Sequence, residues 1–202
     1  MRWPRIIFIS LLALLIAAAL HYTLPQREVV RIVNAESRLT EVGGFNGLFF
    51  AQRDSGSAQS SDMRDLRLIS TIRPDGRPLV FRNEDTGVLW PPYFKFDSED
   101  LQTEAANLTS TENDPQWVAI THYGWRSNLI SIYPNAISIR PVDSPDVTLF
   151  PWLNILILVL LALVVFMAWR IWERFEDRVI DPIVDSVSVQ WAKVKDRFAG
   201  RG

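Results

Sequence analysis

The sequence predicts an α+β membrane protein, with two transmembrane helices flanking a predominantly antiparallel-β extracytoplasmic domain and an amphipathic helix at the C-terminus. Three observations carry that prediction. Two runs of about twenty apolar residues stand near the ends of the chain. Arginines gather on the outer side of each run, and the stretch between them is rich in period-two, β-branched segments. The length of 202 residues leaves room for one ordinary domain between the spans.

The first run, Ile6 to Leu24, holds nineteen residues without Asp, Glu, Lys or Arg, and the second, Phe150 to Trp169, holds twenty. At 1.5 Å per residue they make helices of roughly 28 and 30 Å, about the thickness of a bilayer's hydrocarbon core. A buried helix in so small a soluble domain is seldom apolar on every face. Arg2 and Arg5 precede the first span, and Arg170, Arg174 and Arg178 follow the second, so the positive-inside rule puts both termini in the cytoplasm. The expected division is therefore 1–5 inside, 6–24 spanning, 25–149 outside, 150–170 spanning and 171–202 inside. Residues 25–149 carry 12 Lys/Arg against 17 Asp/Glu, a net charge of −5. Trp3, Trp169 and Trp172 fit the inner membrane interface, and Tyr22 and Trp152 the outer one.

A rival reading makes the first run a cleaved secretory signal, with Arg2 and Arg5 as the basic region and Ala17-Ala18-Ala19 matching an A-x-A cleavage site. The run continues to Leu24, past what a signal needs, and this favours a retained span. Either way the middle segment is exported. With no cysteine in the chain, its stability rests on packing alone.

Within that segment, Val29 to Val33 reads as a strand beginning almost at the membrane. Leu66 to Ile72 alternates and enters the turn Pro74-Asp75-Gly76, where Gly supplies positive φ, and Leu79-Val80-Phe81 returns as the hairpin partner. Trp117 to Thr121 and Leu129 to Tyr133 are expected as strands around a turn at Gly124, with Ala136 to Ile139 as a further short strand. The spacing predicts an antiparallel sheet or small sandwich. One helix interrupts it, with Ser98 as cap, Glu99 and Asp100 in its first turn, and Leu101, Ala105 and Leu108 as an apolar stripe. Asp54 to Asp62, rich in Gly, Ser and Gln, reads as a loop.

Three stretches resemble an uncharacterised alphaproteobacterial membrane-protein family, catalogued as domain of unknown function 1523. They are Pro25 to Asn34; Phe81-Arg82-Asn83-Glu84-Asp85-Thr86-Gly87 continuing to Trp90-Pro91-Pro92-Tyr93-Phe94-Lys95-Phe96; and Thr121-His122-Tyr123-Gly124-Trp125-Arg126. The resemblance runs from the first span through the second. It implies a bacterial inner-membrane protein with a periplasmic domain, and carries no activity, cofactor or catalytic residue.

The candidate sites are weak. His122, with Tyr123 and Arg126, is the most reactive-looking group, yet strand alternation puts His122 and Tyr123 on opposite faces and no nucleophile is near. His21 at the end of the first span suits the headgroup level. Asp97, Glu99, Asp100 and Glu104 lack the loop pattern of a calcium site, and helix-start electrostatics accounts for most of them. Glu84 and Asp85 suit a turn better than a paired acid and base. Trp90, Tyr93, Phe94 and Trp125 are the candidate partner-binding residues, against core packing as the plainer reading. In the tail, Val184, Val187, Trp191, Val194 and Phe198 recur at spacings of 3 and 4, with Lys193, Lys195, Arg197 and Arg201 near the end. That pattern suits a helix lying on the inner leaflet, or one packed on a partner helix.

No metal or cofactor is expected, and the near-neutral charge gives no bias toward nucleic acid. The partners expected are the lipid bilayer and either a membrane protein or further copies of the chain. The functional expectation is a non-catalytic envelope protein whose anchored domain binds or scaffolds a partner, as in an accessory subunit of a membrane complex. The alternatives are a sensor of an envelope ligand and a hydrolase-like enzyme using His122.

Overall fold

The structure, a computed structural model, describes residues 3–41, 63–86, 91, 93–129 and 131–180. It divides into two compact units at Phe150/Pro151. In the first unit, α1 (Trp3–Thr23) leads through two residues into the strand β1 (Gln26–Glu41). There follow β2 (Met63–Ile72), β3 (Pro78–Arg82), α2 (Ser98–Asn107), β4 (Trp117–Tyr123) and β5 (Asn135–Val142).

The strands close into a barrel in the order β1-β2-β3-β5-β4, rather than stacking as an open sheet or sandwich. The device that closes it is β1. Its first half, Gln26 to Arg31, pairs antiparallel with β4, and its second half, Arg31 to Glu41, pairs antiparallel with β2. One strand can serve two neighbours because the ladder shifts between Ile32 and Asn34, a bulge that bends the chain. Four of the five pairings are antiparallel. The fifth, β3 with β5, is parallel and rests on Arg82 opposite Asn135. With the helix between β3 and β4, this is a five-stranded Greek-key barrel of the OB type. Such a barrel hosts many functions and by itself assigns none.

Alternation along the strands fills the interior. Val30, Ile32, Ile69, Phe81, Val118 and Ile120 are fully buried, and Leu101 and Ala105 of α2 join the same core. The expected stripe on α2 is thus observed, with Leu108 partly buried against the core. The expected cap is not. Asp97 occupies the cap position without a side-chain bond, and the Ser98 amide instead donates to Asp85 Oδ1 at 3.0 Å. The β2–β3 turn forms as expected, with Gly76 at φ +80° donating its amide to the Arg73 carbonyl at 2.9 Å.

The described residues of the expected strand at Leu129 to Tyr133 do not form one. A single bridge, Ser127 to Ile132, closes a small hairpin, and Ser131 has φ +50°. The reason is packing. Ile132 and Tyr133 lie against Leu66, Leu68 and Val80, a second apolar cluster beside the main core. Burial against another element therefore satisfies these residues without a ladder.

The second unit contains α3 (Trp152–Phe175) and a π-helical turn (Glu176–Ile180). α1 and α3, 21 and 24 residues long, are each apolar and long enough to cross a membrane, and neither contains a buried residue. Trp3, Trp152, Trp169 and Trp172 are exposed on them. The loop at Asp54 to Asp62, Trp90, and the tail residues Val184, Val187, Trp191, Val194 and Phe198 lie outside the described residues.

Candidate functional site

The chemistry gathers where α1 meets the barrel. An α-helix leaves its last four carbonyls without helical partners, and where packing excludes water each must find a donor. In α1 all four are satisfied. Leu20 accepts from the Leu24 amide at 2.8 Å, and His21 accepts from Gln26 Nε2 at 3.0 Å. Tyr22 accepts from the Gly124 amide at 2.9 Å, and Thr23 accepts from the Tyr93 hydroxyl. Two of the four donors belong to loops some seventy to one hundred residues away, so the helix end is completed only by the folded barrel.

Aromatic packing encloses the same turn. Tyr22 meets Tyr123 and Trp125 edge-on, with ring centroids 6.1 and 5.3 Å away, and Tyr93 stacks on Tyr123 at 4.8 Å. Trp125 Nε1 donates to His21 Nδ1 at 2.9 Å, which ties the loop to the last turn of the helix. Burial raises the hydroxyl pKa values of Tyr93 and Tyr123, so both stay protonated, Tyr93 as the donor to the Thr23 carbonyl. Gly124 has φ +91°, a conformation that favours glycine, and it turns β4 back toward the helix.

Beneath this seat runs a buried polar network. Arg82, only 3% exposed, is paired with Glu84 at 2.9 Å. Asn135 accepts from the Glu84 amide and donates to both the Glu84 carbonyl and the Tyr123 hydroxyl, at 2.9, 2.9 and 3.1 Å. Lys95, also 3% exposed, donates its ammonium to Asn83 Oδ1 and, at 2.8 Å, to the Ala136 carbonyl. Asn83 in turn donates to the Ser98 carbonyl at 2.7 Å and to Gln102 at 2.9 Å. Burial pushes the Lys95 amine down to about 8, against the opposing pull of Asp97, Asp85 and Glu84. These bonds tie β3, β5, α2 and the 93–97 segment into one body. A buried network whose members bond one another in this way holds these segments rigid.

His122 is placed differently. It is buried against the Phe81 ring, with centroids 5.1 Å apart, and neither ring nitrogen has a hydrogen-bond partner among the described residues. Burial lowers its pKa to about 4, so it is a neutral core residue. Among the described residues no carboxylate or hydroxyl is hydrogen-bonded to it to orient it as a base. Tyr123, on the opposite strand face, belongs to the helix seat, and Arg126 lies over the Tyr133 ring at 4.3 Å.

The other candidates separate in space. Glu84 pairs with Arg82, while Asp85 serves α2, so they do not share a cleft. Glu99 pairs with Arg67 at 2.8 Å, and among the described residues no group of three or more His, Asp and Glu is arranged to hold a metal ion. Of the expected partner-binding residues, Tyr93 and Trp125 contribute to the helix seat, and Phe94 is 58% exposed. Phe94 also has φ +50°, a strained conformation for a bulky side chain. With the 68% exposed Phe96 it flanks an open depression of about 340 Å³ bounded also by Lys95, Asp97 and Ile137.

Sequence reasoning did not identify Arg82, Asn83, Lys95 and Asn135 as a buried network. A signal was present. Arg82, Asn83, Glu84, Tyr93 and Lys95 lie in the second of the three family-like stretches, and Tyr123, Gly124 and Trp125 in the third. Gln26, in the first, caps the helix. The three stretches meet at the helix seat.

Comparison with known proteins agrees with the resemblance. An uncharacterised protein of Haemophilus influenzae is 31% identical over 151 residues, covering 75% of this chain and 81% of that protein. That organism is a gammaproteobacterium, so this relative does not bear out the alphaproteobacterial origin that the resemblance implies. No solved structure matches. Residues 1–176 match the model of the family described as "Protein of unknown function (DUF1523)", and the chain belongs to that family.

Proposed function

We propose that the protein is a non-catalytic component of the bacterial inner membrane, anchored by α1 and α3 with both termini in the cytoplasm, and that its periplasmic barrel binds a partner protein. The observation that carries this reading is the helix seat. α1 passes into β1 through Leu24 and Pro25 alone, and its last carbonyls are capped by barrel loops. A domain joined in this way is held in a fixed attitude at the membrane surface, which suits presentation of a surface and not free diffusion to a substrate. The basic residues outside each apolar run support the orientation. The inward-directed polar network, and a His122 with no hydrogen-bond partner among the described residues, favour binding over catalysis. A ligand sensor calls for an enclosed cavity, and the depression beside Phe94 is open.

The surface assigned to the partner is the ridge of Phe94 and Phe96, whose apolar exposure and strained backbone are unusual for a loop that serves only packing. The test places a photo-crosslinking side chain at Phe94 and, as control, at the exposed Glu112, in native membranes. A discrete adduct at 94 that is absent at 112 and lost on Phe96→Ser, with the unfolding midpoint unchanged, is the expected result. Equal labelling at both positions, or none at 94, overturns the reading. A reporter enzyme fused after residue 100 separately tests the orientation and should be active only outside the cytoplasm.

A further inference from the structure

We infer that the β4–β5 hairpin is a membrane-contacting element, with Trp125 and Leu129 seated in the headgroup region of the outer leaflet beside the end of α1. This rests on the reading of α1 as a membrane span. Successive loop residues step down the helix toward its apolar stretch: the Gly124 amide bonds the Tyr22 carbonyl, and the Trp125 indole bonds His21. Since the apolar run of α1 continues to Leu24, His21 lies at interfacial depth, and a side chain hydrogen-bonded to it shares that depth.

The chemistry of the hairpin fits that position. Trp125 has an apolar ring with one polar edge, the pattern of an interfacial aromatic belt. Leu129 is 93% exposed at the hairpin tip, an exposure that a loop in water gains nothing from. It lies five residues from Gly124, so the chain keeps it within about 17 Å of the seat. Arg126 lies between them, its guanidinium bonded to the Ser127 and Ile132 carbonyls at 3.1 and 2.9 Å. Arg27, exposed four residues beyond the end of α1 and opposite Thr121 of β4, adds a second cation near that end of the helix. The external segment as a whole carries −5, so anionic lipid repels it overall, and attachment must come from this local combination of apolar and cationic groups. Lipid is thus the occupant this surface fits, in preference to a protein partner.

Because the chain contains no cysteine, one introduced cysteine gives one label. Leu129→Cys, Glu112→Cys and Leu12→Cys are each labelled with an environment-sensitive fluorophore and reconstituted as the full chain in vesicles of three parts phosphatidylcholine to one part phosphatidylglycerol. Quenchers are iodide in water and lipid nitroxides, one carried shallowly for the labels at 129 and 112 and one deep in the acyl chain for the label at 12. The proposal expects the label at 129 to be quenched by lipid nitroxide at least threefold more than the label at 112, and to be shielded from iodide. A label at 129 as open to iodide as that at 112, while the label at 12 is lipid-quenched, overturns the hairpin's membrane contact and leaves the span standing. Failure of lipid quenching at 12 overturns the span reading and the proposal with it. A label at 129 shielded from both quenchers is covered by protein, which also overturns the proposal.

Discussion

The amide of Gly124 donates to the carbonyl of Tyr22 at 2.9 Å, and a β-carbon added to that glycine would lie 3.5 Å from the Tyr22 ring. The turn therefore leaves room for a methyl group but holds a backbone conformation, φ +91°, that an L side chain rarely adopts. The cost of substitution there is conformational and not steric. Gly124→Ala is expected to destabilise the detergent-solubilised chain by about 1–2 kcal/mol. The check is denaturant unfolding followed by tryptophan fluorescence, and an unchanged midpoint would show that the turn relaxes freely.

Acid should weaken the barrel through His122. Its pKa is held down to about 4 by burial, with Glu28 opposing and Arg73 adding to the effect. The unfolded chain, with an ordinary value of about 6.5, binds the proton first. This residue's contribution is therefore intact above pH 6.5 and is lost as pH falls toward 4, by up to about 3 kcal/mol. His122→Phe removes a titrating group whose nitrogens have no partner among the described residues. Its unfolding midpoint should vary less between pH 6.5 and 4 than that of the parent, and parallel profiles would assign the acid sensitivity elsewhere.

Lys95 shifts stability in the alkaline range. Burial lowers its pKa to about 8, so between pH 8 and 10.5 the unfolded amine carries a proton that the folded one has released. Stability from this group therefore rises with pH across that window, by up to about 3 kcal/mol, and is at its minimum below pH 8. In Lys95→Met the rise should vanish. Thermal midpoints measured at pH 7.5, 9 and 10.5 decide it, a persistent rise in the variant being the contrary result.

Glu84→Gln leaves the Arg82 guanidinium, 3% exposed, without its carboxylate. Removing one partner of a buried ion pair costs about 3–5 kcal/mol, and the modest exposure of Glu84 places this case near the lower figure. Asn135→Ala breaks three bonds in the same network. The two substitutions combined should cost less than their sum, because Asn135 holds the backbone of residue 84 in the position from which its carboxylate reaches Arg82. Additive losses in a double-mutant cycle would mean that the network is not one unit.

How much of this was legible beforehand differs by element. Val29 to Val33, Leu66 to Ile72, Leu79 to Phe81 and Trp117 to Thr121 all fall inside observed strands, because alternation and branched side chains are local properties. The hairpin turn at Gly76 followed from its residue types in the same way. Leu129 to Tyr133 was misread because an apolar residue can be buried by a neighbouring element as well as by a ladder, as Ile132 is against Leu66 and Leu68. The Ser98 cap was misread because the capping carboxylate, Asp85, stands thirteen residues away. The long reach of β1 was hidden by its polar second half, where pairing with β2 supplies what hydrophobic alternation does not.

The sequence by itself determined two apolar helices, the β-rich segment between them, and the strands' inward faces, since each of these depends on residues within a few positions of one another. Tertiary structure alone decided that the strands close into a barrel, that Arg82, Glu84, Lys95 and Asn135 form one buried network, and that His122 is left without a polar partner among the described residues. It also decided that the end of α1 is capped by Tyr93 and Gly124. These relationships join positions tens of residues apart, and the partner of a buried donor, acceptor or charge is fixed only when the chain has closed around it.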